Sequence, residues 1–460
     1  MRWNATEPLT RWEKVLLAGF FLLLVALGGL VEYRSAFLTR RMGDLDCFLR
    51  AAWAVRTGND PYAVTSDNDW HYNYPPLYAI LMTPLADPPR GEDPAGFLPY
   101  AWSVAICYLI NVICLFVAAH VLACAIEAKS PDASFRTQPT FCRRWWVLRL
   151  WPVLICFLPI GHTMMRGQVN VIVLAMLCAA YAGWLQGQNF RAGMWLAFAI
   201  CIKVIPAYLI VYPLWKRDWR GLLGCASGLL IGLAIVPMLT FGPARTQTHY
   251  ETYGKVFFAP FFKLNDDDTR KEEILGVNAT DSVGVKNALH NWIYPDAGTR
   301  PEEMHVGAKA AYLLLGFAMT FATLFLPSPR RGRGAGGEGG NAPENDAHQF
   351  GALLVLMTIF SPVSHSHYLM FCLPIVMILL ARQWHNQESI FISKGLVATF
   401  AVFFVTMAVA YLPGMEILKD RCAALFATLP LWAIPIVQAW RDRPAAPAND
   451  ETRTAPRRAA

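Results

Sequence analysis

Apolar runs long enough to cross a lipid bilayer recur along this chain, and they restrict its fold more than any other feature. A helix needs about 20 apolar residues to traverse the hydrocarbon core, because inside lipid every backbone amide and carbonyl must be paired within its own segment. Lys14–Val31 is the first such run. It is followed by no small-residue cleavage site, so it reads as a retained first span with a cytoplasmic N-terminus rather than as a secretory signal. With 55% hydrophobic and only 16% charged residues over 460 positions, and a mean hydropathy of +0.33, the chain is too apolar for an ordinary soluble protein.

The formal charge of +7 would suit nucleic acid if it covered one face. Instead the basic residues gather in short clusters between apolar runs, as in RRWWVLR, KRDWR and RRGRG. That pattern sets topology, and nucleic acid is excluded as a partner. The 11 cysteines lie mostly within apolar runs, without Cys-x-x-Cys or Cys/His ligand spacing. They read as small core residues, and no disulfide framework or zinc site is expected.

Keeping the basic loops inside fixes the count of spans. After Lys14–Val31, the runs are Phe97–Ile126, Trp146–Ile160, Val169–Leu185, two short helices within Ala192–Trp215, Gly221–Leu239, Ala308–Leu326, Phe350–Phe360, Tyr368–Leu380, Leu396–Leu412 and Ala423–Val437. A break at Lys203–Pro206 is needed, since one continuous helix there would put KRDWR outside. The expectation is an all-α polytopic integral membrane protein with about 12 transmembrane helices. One membrane domain covers residues 1–440, with extracytoplasmic loops 32–96 and 240–306, a cytoplasmic linker 327–348 and a disordered cytoplasmic tail 441–460. PLYAILMTPLA, from Pro76, is too short to span and reads as a re-entrant or surface segment.

Four polar segments then share the extracytoplasmic face. In DLDCFLRAAWAVR, the residues Leu45, Phe48, Leu49, Ala52 and Trp53 form one apolar stripe, so the segment is expected to lie as an amphipathic helix on the membrane surface. Asp44 and Asp46 fall about 200° apart around it and cannot act as a pair. A calcium loop is excluded by Phe48 and Val55 at positions that need oxygen ligands. On spacing alone Asp44 reads as a helix N-cap and Asp46 as an i, i+4 partner of Arg50. GHTMMRGQVN brings His162, Arg166, Gln168 and Asn170 to the ends of two spans, as a cavity lining or as a hydrogen-bonded turn. Lys203, in an otherwise apolar segment, either meets an anion such as phosphate or snorkels to the interface. In SPVSHSHY, His365 and His367 fit hydrogen bonding to a polar substrate better than metal binding, since no carboxylate or thiol completes a site. The fourth segment, Thr240–Val306, carries NDDDTRKEE at 265–273, which reads as a solvated charged loop.

In this order the segments resemble glycosyltransferase family 87, a group of polytopic membrane mannosyltransferases. The elements that carry the resemblance are Asp44 with Ala51 and Gly58–Tyr62, Tyr74–Pro76, Gly167–Asn170, Lys203 and Pro206 with Trp219–Arg220, and Ser361–Ser364 with His367. His365 stands where many members carry Trp, and Asp46 adds an acid at a variable position. The resemblance implies the GT-C fold, a polyprenyl-phosphate-linked sugar as donor, a lipid or glycan acceptor, and an active site on the extracytoplasmic side of the cell membrane. It also implies Asp44 as general base. Tyr62, Tyr74, Arg166, Gln168, Asn170, Lys203, His365 and His367 are the expected substrate-binding residues, with Asp46 as a positioning neighbour. No cofactor or metal is expected. The competing class is a transporter or flippase of lipid-linked sugars or small solutes, which would ordinarily show internal repeats with paired broken helices.

Overall fold

The computed structural model describes residues 3–4, 6–38, 43–129, 139–262, 273–274, 276, 282–325, 342–383, 389–390 and 393–441. The linker, the tail after residue 441 and residues 265–272 of the charged loop lie outside them, but for the few linker positions from 342 onward. Helix follows helix. The first is α1 (Arg11–Glu32), begun by a capping box in which the Thr10 hydroxyl accepts from the Glu13 amide while the Glu13 carboxylate accepts from the Thr10 amide. Then come α2 (Gly43–Thr57), α3 (Pro76–Leu81), α4 (Tyr100–Lys129), α5 (Arg143–Ile155), α6 (Phe157–Arg166), α7 (Asn170–Leu185) and α8 (Asn189–Ile202). The second half contains α9 (Val211–Trp215), α10 (Trp219–Leu229), α11 (Val236–Phe241), α12 (Pro243–Tyr253), α13 (Val285–Ile293), α14 (Val306–Leu324), α15 (Ala342–Ile359), α16 (Leu373–Gln383), α17 (Lys394–Ala410), α18 (Glu416–Asp420) and α19 (Ala423–Arg441). Two short strands, Trp3–Asn4 and Ser389–Ile390, pair antiparallel.

Among the described residues, six helical stretches are long and apolar enough to cross a membrane: Arg11–Leu38, Tyr100–Lys129, Trp219–Phe241, Val306–Leu324, Ser366–Gln383 and Ala423–Trp440. A seventh arises if the bent pair α5 and α6 counts as one. The chain is therefore a multi-pass membrane protein, with six to seven segments of full length where the apolar runs had led to about twelve. The difference lies in apolar helices of 10–17 residues, among them α7, α8 and α17, which are too short to meet the length criterion alone.

The α5–α6 pair bends by 63°. Pro159 has no amide hydrogen to offer the Ile155 carbonyl, and its ring crowds that carbonyl, so the helix breaks within the apolar run Trp146–Ile160. The break after α8 falls where expected. Lys203 is extended (φ −145°, ψ 125°), and Pro206 cannot donate to the Ile202 carbonyl, so a 3-10 segment Ile205–Ile210 follows.

The helices α4, α7, α8 and α10 pack side by side in that order. Between α8 and α10 the backbones touch: a Cβ on Gly193 would collide with the Gly221 carbonyl, and one on Gly224 with that of Phe190. Small residues bring membrane helices this close, and dispersion between backbones replaces the hydrophobic drive that lipid cannot supply.

Three expectations for the polar segments change. Every residue of α2 from Leu45 to Val55 is buried, so it is not an amphipathic helix on the membrane surface. Its polar side is covered as well as its apolar stripe, by residues 66–87. PLYAILMTPLA is no surface segment, which leaves the re-entrant alternative: Leu77, Tyr78, Ala79 and Leu85 are buried, and the segment folds as α3 and a single 3-10 turn. Thr240–Val306 is a helical region in its described parts, and Glu273 is not solvated. Its carboxylate pairs with His71 Nδ1 at 2.8 Å and accepts from Asn73 Nδ2 at 2.7 Å.

Candidate active site

Two helix ends meet to form the site. Asp44 sits in the first turn of α2, where exposed amides favour a carboxylate, and Arg166 in the last turn of α6, where carbonyls favour a cation. Gly167 ends α6 in the left-handed conformation (φ 68°, ψ 28°), which costs a glycine nothing and turns the chain into α7. Arg166 Nε donates to Asp44 Oδ2 at 2.6 Å. The two side chains are 36% and 22% exposed, so the pair faces an opening. Asp44 is not the N-cap expected from spacing, because the helix already includes Gly43 and the carboxylate turns to Arg166 instead.

Behind this pair lies a buried cation. Lys203, at the C-terminal end of α8, is 4% exposed and donates through Nζ to Asn170 Oδ1 at 2.7 Å. Its ammonium lies 4.3 Å from the centre of the Tyr368 ring and 5.2 Å from that of Tyr74. It does not snorkel. Asp44 and Arg166 are near enough for their charges to act on it. Tyr74 donates to Gln168 Oε1 at 3.3 Å, and burial pushes its phenol well above the ordinary value, which keeps it a neutral donor. Tyr62 stands one layer back: its hydroxyl donates to the Tyr74 carbonyl at 3.1 Å, and its ring packs against Tyr72 and Tyr253.

The histidines close the opposite side. Residues 364–365 are pinned by the Val283 amide and the Ser282 hydroxyl, both donating to the Ser364 carbonyl. His367 is fully buried, with its ring 5.4 Å from those of both His365 and His162. Among the described residues neither His367 nitrogen has a hydrogen-bond partner, and neither does Asn170 Nδ2. Buried polar atoms seldom stay unpaired, so these three point to a polar group that completes the site. His162, named in the sequence without a role, accepts from or donates to Ser366 and Tyr411 through Nδ1, at 3.2 and 2.9 Å. Tyr368 and Tyr411 belong to this wall too, and only the aromatic-rich end of SPVSHSHY hinted at the first.

Asp46 faces the other way, as the helical period requires. It is fully buried, accepts from the Asp67 amide at 2.6 Å and lies 3.7 Å from Arg50, its i, i+4 partner. Arg50 also reaches Asp67 at 3.0 Å and Asp87 at 3.9 Å. This network straps the loop after α2 over the helix and so fixes Asp44 on the other face. Among the described residues no group of three or more His, Cys, Asp or Glu side chains is placed to hold a metal ion.

Comparison with known proteins leads to the same family. Residues 72–264 match the profile of glycosyltransferase family 87. Tyr74, Arg166, Gln168, Asn170 and Lys203 fall inside the matched segment, and Asp44, His365 and His367 outside it. The chain is 28% identical over 261 residues to the polyprenol-phosphate-mannose-dependent alpha-(1-2)-phosphatidylinositol mannoside mannosyltransferase of Mycobacterium tuberculosis, covering 55% of this chain and 57% of that protein. It is 23% identical over 322 residues to the corresponding phosphatidylinositol pentamannoside mannosyltransferase of Mycolicibacterium smegmatis, covering 69% and 62%. An alpha-(1->3)-arabinofuranosyltransferase of Mycobacterium tuberculosis is 24% identical over 223 residues, covering 46% of this chain and 45% of that protein. The chain thus spans less than two thirds of the length of each of these relatives.

Proposed function

We propose that this chain is a membrane glycosyltransferase of the GT-C type, which transfers a hexose, mannose by the names of its relatives, from a polyprenyl-phosphate donor to a lipid or glycan acceptor. The reading rests above all on one observation: a partly exposed carboxylate held at 2.6 Å by an arginine, with a buried ammonium behind it. The site lies on the extracytoplasmic side, and the five shorter apolar helices join the longer ones in the membrane to give twelve spans.

The chemistry follows from those charges. Asp44 takes the proton of the acceptor hydroxyl, the hydroxyl oxygen bonds to the sugar's anomeric carbon, and the bond from that carbon to the phosphate oxygen breaks. The leaving polyprenyl phosphate is an anion already, so it needs cations rather than a proton, and Arg166 and Lys203 supply them. An arriving phosphate competes with Asp44 for the Arg166 guanidinium, which frees the carboxylate to act as a base only when donor is bound. Gln168, Asn170, Tyr74, His365 and His367 offer hydrogen bonds to sugar hydroxyls. Asp46 and Tyr62 act from behind, by positioning Asp44 and Tyr74.

The test is direct. Purified protein in nanodiscs, given radiolabelled polyprenyl-phosphate mannose and a membrane lipid extract, forms a new labelled product. Labelled donor carried across the bilayer without a new product would establish a flippase instead.

A further inference from the structure

Glu273 is the last residue of NDDDTRKEE, and it grips the segment that carries Tyr74. Residues 71–74 run extended: His71 bridges antiparallel to Thr65, and side chains along such a ribbon alternate between its two sides. Tyr72 and Tyr74 take the inner side. Their rings lie 6.4 and 5.1 Å from that of Phe48 on α2, and the Tyr74 hydroxyl and ring meet Gln168 and Lys203. His71 and Asn73 take the outer side, where both meet Glu273. One carboxylate oxygen lies 2.8 Å from His71 Nδ1, and the other accepts from Asn73 Nδ2 at 2.7 Å.

Both oxygens of one carboxylate therefore hold alternate residues of a single ribbon. Contacts at 71 and 73 span a full period of the strand, so they fix its rotation about its own axis, where a single contact would let it roll. Rotation decides where Tyr74 points. On the inner side the Tyr72 hydroxyl donates to the Pro75 carbonyl at 2.7 Å and accepts from the Ala79 amide at 3.0 Å, while Tyr62 donates to the Tyr74 carbonyl. Glu273 closes the ribbon from the outside. Its side chain is only 12% exposed, so water screens this grip far less than it would a surface pair.

We propose that Glu273 is a positioning residue: by holding His71 and Asn73 from outside, it sets the Tyr74 hydroxyl and ring against Gln168 and Lys203 and so shapes the donor site. The link from Glu273 to the donor rests on the transferase reading. The link from Glu273 to Tyr74 does not, and the two are tested apart.

Fluorotyrosine incorporated into the full chain in nanodiscs reports on Tyr74 without donor or turnover. The chain has 16 tyrosines, so the Tyr74 resonance is the fluorine signal missing from Tyr74→Phe. Glu273→Ala is expected to shift or broaden that signal, and Glu273→Gln, which keeps an oxygen for Asn73, to return it toward wild type. Should Glu273→Ala not fold, Asn73→Ala removes one of the two contacts and shifts the same signal by less. A Tyr74 signal that stays in place in the folded variant overturns the proposal, whatever reaction the protein performs. Binding of labelled polyprenyl-phosphate mannose then tests the donor link. Tyr74→Phe and Glu273→Ala should each weaken it about three- to tenfold, the scale of one hydrogen bond. The double variant should lose no more than the larger of the two, because residues that act through one another are not additive. Losses that multiply in the double variant overturn the donor link. If the fluorine signal moves but Tyr74→Phe binds donor as wild type does, the placing of Tyr74 in a donor site fails and the grip of Glu273 on Tyr74 stands.

Discussion

Asp44→Asn separates chemistry from structure at the site. The exchange keeps the size of the side chain and an oxygen that accepts from Arg166, and removes only the charge and the basicity. The charge contributes little to stability. Its pair with Arg166 is short, at 2.6 Å, but the side chains are 22% and 36% exposed, and pairs open to water are worth at most about 1 kcal/mol. Its place in the first turn of α2 adds roughly 0.3–1 kcal/mol through the helix dipole. A loss of about 1–2 kcal/mol lowers a melting temperature by only a few degrees in a chain of this size.

Loss of a positioned base costs far more. Turnover should fall by about 10²–10⁴-fold, equivalent to roughly 3–5 kcal/mol in the barrier. Donor binding should not weaken, since a negative charge near the phosphate has been removed. The assay is transfer from radiolabelled polyprenyl-phosphate mannose by purified variants matched by thermal melt, with donor affinity measured in parallel. Asp46→Asn is the internal control, because Asp46 faces Arg50 and the Asp67 amide on the far side of α2. Near-wild-type turnover by Asp44→Asn would refute the base assignment, and a dead Asp46→Asn beside it would move the chemistry to the other carboxylate.

Lys203→Met should raise the donor's KM about tenfold or more while leaving acceptor KM unchanged, as expected when one buried charge-assisted contact to phosphate is lost; unchanged donor kinetics would remove Lys203 from the site. Arg50→Met leaves Asp46, Asp67 and Asp87 buried without their shared cation, and should lower stability by about 3–5 kcal/mol, read as a loss of folded protein in a melt followed by size-exclusion chromatography. The Arg300 guanidinium holds the Asp420 carboxyl below its ordinary value of 3.8. That pair therefore stabilises the fold above pH 3.8, and its contribution disappears as the pH falls through the lower folded value. Asp420→Asn should melt lower at neutral pH and lose the wild type's steeper decline in strong acid; parallel melting curves for the two proteins would contradict the pairing.

How much of this was legible in the sequence depended on the distance over which each interaction acts. Local rules carried far: the break at Lys203–Pro206 needs only a proline without an amide hydrogen, and the opposite facing of Asp44 and Asp46 needs only the period of a helix. Lys203 was visible as a site residue because an ammonium in an apolar segment demands a partner. What failed was any reading that required knowing what lies on top. The α2 stripe of Leu45, Phe48, Leu49, Ala52 and Trp53 has the pattern of a surface helix, yet the loop carrying Asp67 and Asp87 covers its polar side, and no periodicity announces a lid 17 to 37 residues downstream of Arg50. The same holds for Glu273, whose partners His71 and Asn73 lie 202 and 200 residues away. The consequence for function is specific. Asp44 is held rigidly because its neighbours on the far face of α2 are locked by buried charge, while on its own face it is paired with Arg166, a partner that a phosphate can take from it. On the proposed reading such a base is fixed in position and released by its substrate, although on spacing alone the same carboxylate read as no more than an N-cap.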